Sequence, residues 1–72
     1  MKQLSVAEKI RIILRRNDMT LGELADLMGQ SRQNLSNKMS RNNFQEGDIR
    51  AAAEAMHCSV DIIFTLSDGS TI

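Results

Sequence analysis

The chain has 72 residues, 42% hydrophobic and 25% charged, with nine bases against nine acids and a formal net charge of zero. That length allows one domain, residues 1–72, with a modest core, because so short a chain buries only about 60% of the surface its unfolded form exposes. The composition excludes a disordered or fibrous chain, and no apolar run approaches the ~20 residues of a membrane span.

The opening Met1-Lys2-Gln3-Leu4 leads into a charged amphipathic stretch and lacks the apolar centre of a signal peptide. A single cysteine, Cys58, rules out an internal disulfide framework and suits a reducing cytoplasm. The neutral total hides a separation of charge. Residues 1–44 hold eight bases (Lys2, Lys9, Arg11, Arg15, Arg16, Arg32, Lys38, Arg41) against four acids, a balance of +4. Residues 45–72 hold Arg50 against five acids, a balance of −4. From Gly29 to Phe44 there is no acid at all. A dipolar molecule of this kind can present a basic face to phosphate.

Ser5-Val6-Ala7-Glu8 is a capping box and predicts that a first helix begins there. Val6, Ile10, Ile13 and Leu14 then form one apolar stripe, and Asn17-Asp18 ends the helix. Ile12, like Leu27 further on, falls off the main stripes, which leaves room for it to be partly exposed. A second capping box, Thr20-Leu21-Gly22-Glu23, opens the next helix, with Leu24, Ala25 and Met28 inward and Gly29 as its stop. Only Gln30 separates that glycine from Ser31, the N-cap of a third helix that Leu35 and Met39 anchor. Two short helices joined so tightly must cross steeply. Arg41-Asn42-Asn43 reads as a loop and Phe44 as a plug. A fourth helix spans roughly residues 45–57, with Ile49, Ala52, Ala53 and Met56 inward. The apolar run from Val60 to Leu66 reads either as a short fifth helix or as a strand, and is too short for periodicity to decide. A short helical turn followed by an extended tail is the favoured reading, with Ser67-Asp68-Gly69-Ser70 as a turn.

An α-helix advances about 100° per residue. With Leu35 and Met39 buried, Gln33, Asn37, Ser40 and Arg41 project from the other side of the third helix, flanked by Arg32 and Lys38. This ridge is expected to be free of carboxylates. Gln and Asn can pair bidentately with adenine, and Arg with guanine, so the inventory suits reading of base edges.

The string Glu23-Leu24-Ala25-x-x-Met28-Gly29-x-Ser31-x-x-x-Leu35, followed by Gln33 to Met39 and Asn42-Asn43-Phe44, resembles the phage-repressor/Cro-like (XRE-type) helix-turn-helix family. The resemblance covers about residues 5–64. It implies an all-α, lambda-repressor-like fold: a compact four- or five-helix bundle whose domain core spans residues 5–66, with the helix-turn-helix at about 20–41 and a short extended tail. It also implies a small bacterial or phage-encoded regulator of transcription, most simply a repressor. Arg32, Gln33 and Asn37 would then read bases, while Thr20, Lys38, Ser40, Arg41 and Asn42 would hold phosphates. Three positions depart from the family pattern: Leu21 where many members have a phosphate-binding glutamine, Gln30 after the glycine, and Lys38 with Met39 serving one place later.

The expected partner is double-stranded DNA, with homodimerisation through residues 62–72 as one option and a last core element as the other. No cofactor, metal, small-molecule ligand or membrane is expected. The alternative function is a protein-interaction module that keeps the scaffold without binding DNA. Catalysis is not expected, because His57 and Cys58 are adjacent and would point about 100° apart on a helix.

Overall fold

Side-chain caps decide where the helices begin. In the computed structural model, which describes residues 3–72, the elements are α1 (Val6–Arg16), α2 (Leu21–Leu27), α3 (Arg32–Arg41) and α4 (Glu46–Ala55). Lys2, part of the basic count, lies outside the described residues. At α1 the Ser5 Oγ accepts from the Glu8 N–H at 3.1 Å, and the Glu8 carboxylate accepts from the Ser5 N–H at 3.0 Å. Thr20 and Glu23 make the same reciprocal pair at α2, at 3.1 and 3.0 Å. Ser31 Oγ accepts from the Asn34 N–H at 3.0 Å to open α3, and the Gln45 N–H donates to Asp48 Oδ2 at 3.0 Å to open α4. Each cap satisfies backbone donors that a helix start leaves orphaned. The stops are equally local: Gly29 turns the chain out of α2 at φ +73°.

The core is small and wholly apolar. Leu24 of α2 and Leu35 of α3 are its two fully buried large side chains, ringed by Ile10, Leu14, Met39, Ala52 and Met56. Ile12 and Leu27 lie at the surface, as their positions off the stripes allow. On α1 the buried set is Ala7, Ile10 and Leu14 rather than the full stripe read from sequence. Val6 and Ile13 are only half-buried, because they line an open apolar groove between α1 and α4 instead of facing α2 and α3. Ile49 of α4 lines the same groove.

Two side chains tie distant parts of the chain together. Asn42 Oδ1 accepts from the Ala7 N–H at 3.1 Å, fastening the end of α3 to the start of α1. Asn17 Nδ2 donates to the Met56 carbonyl at 3.0 Å, fastening the end of α1 to that of α4.

No fifth helix forms. After Cys58 the chain runs extended and folds into a small hairpin, held by a bridge between Thr65 and Thr71. Phe64 and Ile72 exchange both backbone hydrogen bonds at 2.9 Å, and the Leu66 N–H donates to the Ser70 carbonyl at 2.7 Å. The Gly69 N–H closes the turn on the Leu66 carbonyl at 2.9 Å, with Gly69 at φ +92°. A type I turn followed by a left-handed glycine is a common three-residue hairpin connection. Asp68 Oδ1 accepts from both the amide and the hydroxyl of Ser70, which locks the loop.

Every residue from Asp61 to Ile72 is exposed. The expected compactness is revised for that reason. The radius of gyration is 13.3 Å and the molecule measures 42 × 23 × 23 Å, whereas a spherical domain of this length would have a radius of about 11 Å. No described helix is long and apolar enough to cross a membrane.

Candidate nucleic-acid interface

The ridge on α3 is a consequence of how Leu35 and Met39 are buried. With those two inside, Arg32, Gln33, Asn37, Ser40 and Arg41 are all exposed. Gln33 Nε2 donates to Asn37 Oδ1 at 3.1 Å, one helical turn away, so the two central amides hold each other in place. The pairing leaves the Gln33 carbonyl oxygen and the Asn37 amide hydrogens pointing outward as an acceptor and donors. Asn34, absent from the sequence reading, makes a parallel bond to Gln30 Oε1 at 3.1 Å.

Arg32 and Thr20 meet at one corner of the ridge. A Cβ placed on Gly22 would sit 3.6 Å from Arg32 Cδ and 3.9 Å from Thr20 Oγ1, so the arginine stem lies across α2 beside its N-cap. The starts of α2 and α3 therefore share a corner with a guanidinium. Neither Arg32 nor Arg41 has an ion-pair partner among the described residues. Ser40 is exposed beside Arg41.

Two expected phosphate contacts are already engaged within the chain. Lys38 Nζ is 2.8 Å from Asp48 Oδ1 of α4, with side chains 26% and 17% exposed, so its charge is answered internally. Asp48 also revises the expectation of a ridge without carboxylates, because α4 brings one to its margin. It lines a polar cleft of ≈ 340 Å³ with Asn34, Asn37, Lys38, Arg41, Asn43 and Gln45. The Lys38 ammonium, and after it the Gln45 amide, hold the Asp48 carboxyl below its ordinary pKa of 3.8. Asn42, at φ +49° as the cap of α3, spends its side-chain oxygen on Ala7. Its position is structural first.

No family model, curated protein or solved structure matches the chain. The site rests on its own geometry. Sequence reasoning missed Asp48 as the ridge's neighbour because its spacing from Gln45 signals only a helix start. Nothing local to either residue announces that it also meets Lys38 ten positions back.

Proposed function

We propose that the chain binds double-stranded DNA sequence-specifically, with α3 in the major groove and α2 packed across it in a phage-repressor/Cro-like helix-turn-helix. The observation that carries this reading is the exposed Gln33–Asn37 amide pair set between two arginines that have no acidic partner among the described residues. Arg32 and Arg41 are nine residues apart, a rise of about 13 Å along the helix. In this reading Gln33 and Asn37 read bases, and Arg32 does so at the helix start. Thr20, Ser40 and Arg41 hold the backbone. The regulatory role, a small cytoplasmic repressor of bacterial or phage origin, follows from the family resemblance alone.

A salt titration on mixed-sequence duplex tests the reading. Affinity falls steeply between low and moderate salt, because bound phosphates release counterions. Gln33→Ala costs about 1–3 kcal/mol and relaxes preference at one base position, whereas Arg41→Ala weakens all sequences about equally and lowers the salt slope by about one. Swapped outcomes for those two variants would overturn the residue roles.

A second reading draws on the Lys38–Asp48 pair and the neutral total charge: a protein-interaction module on the same scaffold. It predicts no retention on DNA at any salt.

A further inference from the structure

Gln30 breaks the pattern that the rest of the motif keeps, and its side chain is not idle. Asn34 Nδ2 donates to Gln30 Oε1 at 3.1 Å, across the short link that joins α2 to α3. The neighbouring Gln33–Asn37 bond, also 3.1 Å, runs in the opposite sense, from glutamine to asparagine. The two pairs therefore differ in what they leave free. Asn37 has its oxygen engaged and its amide hydrogens free, whereas Asn34 has its nitrogen engaged and its carbonyl oxygen free.

Asn34 stands on the same exposed surface as Asn37. It lies about 60° round α3 from Asn37 and three residues before it, so the two side chains are neighbours about 5–6 Å apart. That is one to two steps of about 3.4 Å along a DNA strand. Both line the polar cleft of ≈ 340 Å³ with Lys38 and Arg41. An exposed amide pair adds little to helix stability. Its effect is to hold two side chains that would otherwise turn freely, which lowers the cost of ordering them when a ligand arrives.

We infer that Asn34 reads a base of duplex DNA through its carbonyl oxygen, with Gln30 as the positioning residue that fixes which end of the amide faces outward. An outward acceptor selects a base that carries an amino group in the major groove. Adenine offers N6–H and cytosine N4–H, whereas guanine and thymine present only acceptors and a methyl group there. Asn34 therefore specifies adenine or cytosine against guanine or thymine, one or two base pairs from the contact of Asn37. Without Gln30 the amide turns over at little cost, because its last torsion is two-fold, and the preference is lost. The inference rests on the DNA reading and deepens it, since it adds a contact and gives that contact a polarity.

Selection of bound duplexes from a library with a randomised centre, read by sequencing, tests it with the full chain. The unaltered chain enriches a position where adenine and cytosine together exceed guanine and thymine about fivefold or more. Asn34→Ala levels that position and leaves those set by Gln33 and Asn37. Asn34→Asp keeps the preference despite weaker binding, since either carboxylate oxygen is an acceptor. Gln30→Glu keeps it too, because the carboxylate still accepts from Asn34 Nδ2. Gln30→Lys reverses it toward guanine and thymine, because the ammonium donates to the Asn34 oxygen and turns the nitrogen outward. Circular dichroism checks that helicity is kept, which is expected because neither side chain belongs to the core. A library from which the unaltered chain enriches no sequence overturns the DNA reading and this inference together. Enrichment that responds to Gln33→Ala and Asn37→Ala but not to Asn34→Ala overturns this inference alone. So does a preference that Gln30→Lys leaves unchanged or that Asn34→Asp erases.

Discussion

The helical body and the C-terminal hairpin use hydrophobic residues in opposite ways. In the body, ten apolar side chains are buried and every helix start has a cap. In the hairpin, Ile62, Ile63, Phe64, Leu66 and Ile72 are all exposed, and one ladder of backbone bonds holds the shape. The difference separates two jobs. The body closes a core within one chain and presents the ridge of α3 on it, whereas the hairpin leaves its apolar side chains uncovered.

Core truncation is the strongest way to break that contrast. Leu24→Ala removes a fully buried side chain and should cost about 2–5 kcal/mol. Phe64→Ala, measured by urea denaturation, should cost less than about 0.5 kcal/mol, as surface changes do. Comparable losses for the two would mean that the hairpin packs on the body. Next in size is Asn42→Ala, which leaves the Ala7 N–H without its acceptor and should cost about 1–3 kcal/mol. A neutral result would mean that water replaces the clamp and that the end of α3 is independent of α1.

The mildest test is one of pH. Asp48 has a depressed pKa in the folded chain, so the unfolded chain holds its proton more tightly. Its contribution to stability is present above the ordinary value of 3.8 and is lost as pH falls through the folded value. Asp48→Asn should therefore lower the melting temperature at neutral pH, with the gap to the unaltered chain closing in acid. A gap that stays constant would assign its effect to the cap of α4 rather than to charge.

Local chemistry made most of the body legible. Ser5–Glu8, Thr20–Glu23 and Ser31 are caps whose partners lie three residues away, so their geometry is written in adjacent positions. Leu35 and Met39 set the exposed ridge by helical period alone. The contacts that escaped join residues far apart: Asn42 to Ala7, Asn17 to Met56 and Lys38 to Asp48. No periodicity encodes which of several asparagines meets which amide. The hairpin was legible only in part: its turn at Ser67 to Ser70 and a strand option for Val60 to Leu66 could be read, but not the choice of strand over helix. Ile62, Phe64 and Leu66 do alternate with Asp61 and Thr65 at the spacing of a strand, but Ile63 interrupts the pattern and makes the run look uniformly apolar. Among the expected site residues, Gln33, Asn37, Ser40 and Arg41 share the exposed ridge, with Arg32 and Thr20 at its corner.

The helix ends carry a last consequence. Asp18, Asn42 and His57 all sit in the left-handed region, at φ of 54°, 49° and 60°. L side chains tolerate that region at a cost of roughly 1–2 kcal/mol, which asparagine bears best and glycine escapes. Replacing Asp18 or His57 with glycine should relieve that local cost and raise the melting temperature, without touching the exposed ridge of α3.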